Sequence, residues 1–247
     1  LNLNTATALA LADVDVGGNL HVTTQDAGVT QQAGTHVWVG GTSIFTADTG
    51  TNQDAALSST DNRWNGLLTL NEANSGSWRD VSLKTTAPLT LAPLQSSGSV
   101  SLSTQGAVLT TNTISTSGSL SVDTRDGSGV GGAVSLGDAT ITGNMTVQSG
   151  DGSVTQTGQL VVTGNTSVMA GTGTITLLNA LNAFGGTLAL QGTATSVATS
   201  GNLQLASVSN TGPMTLRAPN GSIDLGTAFI TGGDLTLQSR DNMNLGG

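Results

Sequence analysis

A short unit recurs along the chain and restricts the folds that are open to it. Its pattern is glycine, a polar residue, and then an apolar-polar-apolar triplet, with Pro213 and Ala189 as departures at polar positions. Alternation with a period of two is typical of a β-strand with one buried face, and glycine is typical of the turn before it. The copies are GNLHV, GSVSL, GSLSV, GNMTV, GTITL, GTLAL, GNLQL, GPMTL, GSIDL and GDLTL, which begin at Gly18, Gly98, Gly118, Gly143, Gly173, Gly186, Gly201, Gly212, Gly221 and Gly233.

The spacing of these units predicts a coil. Gly98 and Gly118 are 20 residues apart, as are Gly201 and Gly221, and the units from Gly173 onward follow one another at intervals of 9 to 15 residues. A larger unit of this length holds two or three short strands joined by bends, with no helix between them. We therefore predict an all-β fold, a right-handed parallel β-helix (solenoid) of about twelve coils of roughly 20 residues each.

A longer repeat indicates that a run of coils was duplicated. VTQ at Val29 returns at Val154, an offset of 125 residues. We align residues 18–70 with residues 143–190; a one-residue gap follows the VTQ phrase, and from Asn62, which matches Asn182, the offset is 120 residues. Because a solenoid grows by duplicating coils, residues 1–247 are interpreted as a single β-helix stalk segment with this internal duplication.

The alignment also predicts which side chains are buried. Trp64 falls opposite Phe184 and should pack in the same way. Asn62 and Asn182 occupy matching positions, where we expect buried amides at a bend. His21 falls on the solvent face of its strand.

The composition excludes several classes of partner. Charged residues make up 9% of the chain, the formal net charge is −9, and the six basic residues form no cluster. Nucleic acids and anionic membrane surfaces both require basic patches, so we expect no nucleic-acid binding and no membrane insertion. The chain has no cysteine, which excludes disulfides and thiolate chemistry.

Two phrases carry a resemblance to a known family. SVTQTGQLVVTGNTSVMAGTGTITLLNALNAFGGTLALQG (153–192) and GGDLTLQSRDNMNLGG (232–247) resemble the repeats of filamentous-haemagglutinin-like exoproteins, the large adhesins of bacterial two-partner secretion systems. The resemblance covers nearly the whole chain. It implies a secreted β-helix stalk at the bacterial cell surface or in the extracellular matrix, with a role in attachment, aggregation or biofilm-matrix binding.

The resemblance also implies partners. These are polysaccharides or glycans of host and bacterial surfaces and, for the parent protein, an outer-membrane transporter. The family's secretion domain resembles a separate module with Asn-Pro-Asn motifs, whereas all four prolines here follow Ala or Gly. We therefore expect neither a secretion domain nor a toxin domain in these residues. A passive spacer in a contact-dependent toxin-delivery exoprotein remains an alternative.

A polysaccharide-active enzyme on the same fold is a further alternative. Such an enzyme needs paired carboxylates, whereas the acidic residues here come singly in turn-like contexts such as DGSG at Asp126. The histidines, His21 and His36, are not accompanied by a GxSxG nucleophile motif. We expect no enzymatic activity, no catalytic residue, no cofactor and no metal site.

His36 and Trp38 are the first candidate binding residues. The alignment places them opposite Leu160 and Val162, facing inward, whereas residue chemistry favours burial of the valines in HVWV. If His36 and Trp38 face outward, they form an amphipathic platform of the kind that stacks on sugar rings. The alternative is packing in the core or against a cap.

Trp78 and Arg79 are the second candidate. Trp78, in SGSWRD, aligns with Ser200, which predicts a loop. An exposed Trp-Arg pair would be a contact point for a partner. The alternative is that Trp78 covers the side of the rod.

Overall fold

The computed structural model describes residues 1–227 and 229–246. They form an all-β solenoid of parallel strands with about 11 turns of roughly 21 residues, which confirms the predicted fold class and coil length. The right-handed sense of the coil stays a prediction. Within these two ranges, no helix has the length and apolar character needed to cross a membrane.

The strands are short, and most contain three to five residues. In chain order they are β1 Asn2–Thr5, β2 Leu9–Leu11, β3 Val14–Val16, β4 Leu20–Thr24, β5 Val29–Gln31, β6 Val37–Val39, β7 Ser43–Ala47, β8 Gln53–Leu57, β9 Arg63–Trp64, β10 Leu68–Glu72 and β11 Trp78–Lys84. They continue as β12 Leu89–Leu91, β13 Leu94–Ser96, β14 Val100–Ser103, β15 Leu109–Thr111, β16 Ile114–Thr116, β17 Leu120–Asp123, β18 Val134–Leu136, β19 Ala139–Ile141, β20 Met145–Gln148, β21 Val154–Gln156 and β22 Leu160–Val162. The last are β23 Thr166–Met169, β24 Ile175–Leu177, β25 Ala183–Phe184, β26 Leu188–Gly192, β27 Thr195–Ala198, β28 Leu203–Asn210, β29 Met214–Ala218, β30 Ile223–Asp224, β31 Phe229–Thr231, β32 Leu235–Ser239 and β33 Met243–Asn244.

The strands stack into four parallel sheets. Sheet A, with 12 strands, runs β1-β4-β7-β10-β12-β15-β18-β21-β24-β27-β29-β32. Sheet B, with 13 strands, runs β2-β5-β8-β11-β14-β17-β20-β23-β26-β28-β30-β33, and β31 also pairs with β28. Sheet C is β3-β6-β9, and sheet D is β13-β16-β19-β22-β25.

The cross-section of the solenoid changes along its axis. Up to β9 the chain visits sheets A, B and C in turn, and from β12 to β26 it visits A, D and B. Sheet C therefore ends at β9 and sheet D begins at β13. The change leaves β13 with a hydrogen-bonded neighbour on one side only, β16.

Alternation places the core between the sheets, as the sequence predicts. In β17, Leu120 and Val122 are buried and Ser121 is exposed. Leu203 in β28 is buried in the same way. Each coil thus contributes a few apolar side chains to one continuous stack along the axis.

In most copies of the recurrent unit, though not at Gly18 or Gly201, close stacking of turns leaves no space for a Cβ on the glycine. The amide of Gly143 donates to the carbonyl of Gly118 at 2.8 Å, and a Cβ on Gly143 would lie 2.6 Å from that oxygen. The polar residue after the glycine links coils as well. Ser119 Oγ accepts the Asn144 N–H at 3.0 Å, and Asn144 Oδ1 accepts the Asn165 N–H at 2.8 Å.

A buried amide pair explains the duplicated VTQ phrase. Asn62 and Gln31 exchange two hydrogen bonds, with Gln31 Nε2 donating to Asn62 Oδ1 at 2.7 Å and Asn62 Nδ2 donating to Gln31 Oε1 at 2.9 Å. Asn62 Nδ2 also donates to the carbonyls of Leu57 and Lys84. Asn62 Oδ1 accepts the Val37 N–H at 2.8 Å.

The second copy repeats this network. Asn182 exchanges two hydrogen bonds with Gln156, donates to the carbonyls of Leu177 and Ala198, and accepts the Leu160 N–H. Both asparagines are fully buried, as expected. The conserved contact pattern shows that the phrase ends on the glutamine that binds the asparagine of the following coil.

This network corrects the alignment between the copies. Val37 and Leu160 donate to equivalent asparagines, so Val37, and not His36, is the counterpart of Leu160. Trp38 is then the counterpart of Val161 rather than Val162. In a strand, a shift of one residue exchanges the buried and exposed faces, which is why the predicted alignment pointed Trp38 inward.

Candidate functional site

The outer face of sheet C carries a column of three unlike side chains. Asp15 in β3, Trp38 in β6 and Arg63 in β9 are directly paired across neighbouring strands. Their neighbours Val37, Val39 and Trp64 point into the core. Alternation therefore places a carboxylate, an indole and a guanidinium on the solvent side of three successive coils.

Trp38 is oriented by a hydrogen bond and two ring contacts. It is 40% exposed, and its Nε1 donates to the carbonyl of Asp61 at 2.5 Å. The His36 ring lies 4.2 Å from the indole, centroid to centroid, with the planes tilted by 36°. The Arg63 guanidinium carbon lies over the indole, 5.1 Å from its centroid, within cation–π distance.

His36 is held between two carboxylates. Asp13 Oδ1 accepts the His36 backbone N–H at 3.0 Å and lies 3.0 Å from Nδ1, while Asp15 Oδ1 lies 3.2 Å from Nε2. The imidazole therefore has a carboxylate oxygen beside each nitrogen. These contacts join the first two coils and fix the ring that packs against Trp38.

We call the surface formed by Asp15, His36, Trp38 and Arg63 the Trp38 platform. It borders an open groove of about 340 Å³, which Gly17, Gly40 and Asn65 also line. The two glycines bring backbone to the groove wall, and a Cβ on Gly40 would lie 2.4 Å from the carbonyl oxygen of Gly17. An aromatic face flanked by an acceptor, a cationic donor and an amide suits a ligand with apolar faces and hydroxyl edges.

The second copy does not carry this surface. The equivalent column in sheet D is Thr140, Val161 and Ala183, which are paired across β19, β22 and β25. It contains neither an aromatic nor a charged side chain. The platform is thus a feature of the first copy, built on a coil geometry that both copies share.

Trp78 does not lie in an exposed loop, and that expectation was wrong. It begins β11, is fully buried, and donates from Nε1 to the carbonyl of Asn71 at 2.9 Å. It pairs in register with Gln53 of β8. The indole belongs to the buried apolar core, so apolar burial decided its position over the turn-like sequence around it.

Arg79 is half exposed but engaged with acidic neighbours. Its Nε and Nη2 donate to the two carboxylate oxygens of Asp54 at 2.9 and 2.5 Å, and Asp80 lies 3.3 Å away. The hydrogen bonds and charge of Asp54, followed by Asp80, raise the pKa of Arg79. Arg79 and Trp78 form no joint surface, and neither belongs to the Trp38 platform.

Two further predictions are confirmed, and two platform residues were missed. Trp64 and Phe184 are both buried at equivalent positions, and His21 is exposed. Sequence reasoning did not group Asp15 and Arg63 with Trp38. Their spacing of 23 and 25 residues from Trp38 is close to one coil, which is the signal that places them in one column.

In the part of the chain that the structure describes, the acidic and histidine side chains do not converge on a metal position. Among residues 1–227 and 229–246, no group of three or more potential ligands of this kind is placed to hold an ion. Around His36 the two aspartates lie beside different ring nitrogens, so they do not share a centre.

Comparison with known proteins places the chain in a family. A family profile described as "Repeats of unknown function (DUF5649)" matches residues 1–71 and 128–191. These segments contain the Gln31–Asn62 and Gln156–Asn182 pairs. No curated protein and no solved structure matches the chain significantly. Because the two segments make up more than half of its length, the chain belongs to this family of repeats of unknown function, DUF5649.

Proposed function

We propose that the chain is a stalk segment of a secreted bacterial adhesin that binds glycans along its side without catalysing a reaction. These glycans would belong to exopolysaccharide or to cell surfaces. The observation that carries the proposal is the Trp38 platform, an exposed indole set between a carboxylate and a guanidinium on a repetitive rod.

The fold supports a role in spanning distance. About 11 turns stacked at about 4.8 Å give a rod on the order of 50 Å long. Strand-to-strand hydrogen bonds run along its axis, and each coil is supported by its neighbours. Weak sites displayed on such a rod combine into strong attachment through avidity.

The chemistry of the platform supports a glycan as ligand. The part of the Trp38 indole that His36 and Arg63 leave uncovered offers an apolar surface to a sugar ring. Asp15 offers acceptor oxygens and Arg63 offers donors, which suit the hydroxyl groups at the ring edge. Arg63 forms no ion pair within the described part of the chain, so its donors are available.

A passive spacer is the second candidate, and one observation favours it. The equivalent column of the second copy, Thr140, Val161 and Ala183, forms the same coil without a platform. A segment whose coils serve only to extend the rod needs no such surface. The two candidates differ in whether the isolated chain binds sugars.

The test is a glycan array followed by calorimetric titration of the purified chain and of Trp38→Val. Valine occupies the equivalent position of the second copy, so this variant should keep the fold. Loss of stacking worth about 1.4 kcal/mol lowers the affinity about tenfold. Leu181→Ala is the control, since Leu181 is 63% exposed and lies outside the platform.

The outcomes separate the candidates. Binding that weakens in Trp38→Val and not in Leu181→Ala supports the adhesive surface. Equal binding by all three proteins removes the platform from the proposal. If the wild-type chain is folded and binds no glycan, the passive spacer is the candidate function that is supported.

A further inference from the structure

A second groove lies where sheet C has ended and sheet D begins. β13 is the first strand of sheet D, so no strand of that sheet lies on its other side. The end of β10 lies beside it. Two adjoining depressions of about 330 and 250 Å³ occupy this position, and both are lined by Glu72, Gln95 and Ser115.

The groove crosses three successive coils. Glu72 ends β10, Gln95 is the middle residue of β13, and Ser115 is paired with Gln95 in β16. Two coil spacings correspond to about 10 Å along the rod. The opening is therefore elongated along the axis.

Glu72 is the only glutamate of the chain, and it is held in position. Its Oε1 accepts the backbone N–H of Trp78 at 2.9 Å. The Trp78 indole N–H donates to the carbonyl of the preceding residue, Asn71, also at 2.9 Å. The buried tryptophan thus anchors one wall of the groove with both of its N–H groups.

This anchoring leaves one carboxylate oxygen of Glu72 for a ligand. Oε2 has no hydrogen bond to the described residues. Because Trp78 is fully buried and cannot rotate away, the orientation of Glu72 requires little ordering on binding. Glu72 is exposed to solvent, and its hydrogen bond to a backbone fixed by a buried indole orients the carboxylate before binding.

The other lining groups are neutral and polar, with some apolar surface. Gln95, Thr113 and Ser115 supply amide and hydroxyl groups, and Pro93 supplies an exposed apolar ring. Ser77, Ser96, Ser97 and Ser117 extend the hydroxyl lining. No lysine or arginine lines either depression.

We propose that this groove, which we call the Glu72 groove, binds a neutral oligosaccharide lying along the rod axis. A fixed carboxylate with neighbouring amides and hydroxyls accepts and donates the hydrogen bonds that sugar hydroxyls require. An acidic sugar is disfavoured because Glu72 would repel it and no cation lies in the lining.

The inference adds a second site to the proposed function and stands apart from the Trp38 platform. It shares with that proposal the assumption that the rod meets glycans. The two sites lie on different strands and share no lining residue. Variants of each site can therefore be tested in one experiment.

The experiment is an NMR titration of the ¹⁵N-labelled chain with cellotetraose, maltotetraose and chitotetraose, with trigalacturonate as the charged comparison. The Gln95 and Ser115 amides report on the groove. Glu72→Gln keeps an oxygen for the Trp78 N–H and removes the charge. We expect it to weaken binding at these amides about tenfold.

The matched control is Asp138→Asn. Asp138 is also exposed and accepts a backbone N–H, from Gln159 at 2.7 Å, but lies outside the groove. Trp38→Val tests the platform in the same titration. We expect neither variant to change the response of Gln95 and Ser115.

Four results would overturn the inference. The first is that no neutral probe shifts the Gln95 and Ser115 amides, and the second is that Glu72→Gln binds the probe as tightly as the wild-type chain. The third is that trigalacturonate binds more tightly than the neutral probes. The fourth is that an extended peptide, paired with β13, displaces the sugar. If the Gln95 and Ser115 amides do not shift, while Trp38→Val binds glycan more weakly than the wild-type chain, only the groove is refuted. If Gln95 and Ser115 respond to a neutral probe but the amides of Trp38 and Arg63 do not shift in the wild-type chain with any probe, only the platform is refuted.

Discussion

Asn62 ties three successive coils together through one side chain. Its amide contacts Gln31 and Val37 in the preceding coil, Leu57 in its own coil and Lys84 in the following one. A buried amide of this kind is stabilising only when all its donors and acceptors are used. The network in the first copy meets this condition.

Asn62→Ala should lower the free energy of unfolding by about 3 kcal/mol, because it leaves the Gln31 amide and buried backbone groups without partners. Asn182→Ala should have a similar effect, since its contacts are equivalent. Asn65→Ala is the exposed control, expected within about 0.5 kcal/mol of wild type. Urea denaturation measures all three. A cost below about 1 kcal/mol at Asn62 would contradict the assigned role.

At the scale of elements, the connection between β17 and β18 departs most from the short bends of the solenoid. It spans residues 124–133, and Arg125 and Gly131 form an antiparallel bridge within it. Asp126 Oδ1 accepts the N–H and hydroxyl of Ser128 at 2.8 and 2.7 Å and the Val130 N–H at 3.1 Å. The bonds from Ser128, followed by those of the backbone amides, lower the pKa of Asp126 below its usual value.

At low pH, loop 124–133 should lose the hydrogen bonds that the Asp126 carboxylate accepts. Because the folded pKa is lowered, the contribution of Asp126 is complete above its unfolded pKa of about 3.9 and is lost as the pH falls through the folded value. NMR shifts of the Ser128 and Val130 amides between pH 7 and 2 report the change. Asp126→Asn should abolish the transition at these amides. The Asp123–Arg125 pair titrates nearby, so a transition that persists in Asp126→Asn would assign the effect to that pair instead.

At the scale of the molecule, the solenoid is held together by contacts between neighbouring coils. Most pairings join a strand to the equivalent strand one coil away. Stability is then approximately a sum over coils and their interfaces, and damage should spread only a short distance. The reason is that the buried apolar side chains form one stack along the axis, in which each coil packs against its neighbours.

Leu120→Asp should open the coils around β17 because it buries a charge in the apolar stack. Hydrogen exchange should lose protection in β14, β17 and β20, and much less in β1 and β4. Ser121→Asp, at the exposed neighbouring position, is the control and should leave exchange unchanged. A uniform loss of protection across the chain would show that the rod unfolds as one cooperative unit.

The sequence predicted the fold because every coil repeats the same physical pattern. In one Gly-polar-apolar unit, Gly143 forms the close turn, Asn144 forms a hydrogen bond to the next coil, and Met145 lies on the buried face. The face of Trp38 was left open, because residue chemistry favoured the outward face and the alignment of the copies the inward one; the strand pairing decided for the outward face. Trp78 was predicted to lie in a loop because its Ser-Gly context is typical of a loop, whereas it is buried at the start of β11.

What the sequence determined by itself is the solenoid, its coil length and the alternation of buried and exposed side chains, because these depend on interactions repeated in every coil. The tertiary structure alone decided which distant residues share a surface. Asp15, Trp38 and Arg63 meet because three coils of unequal length still align in register. The Glu72 groove exists because sheet C ends and sheet D begins, a change that no single coil encodes.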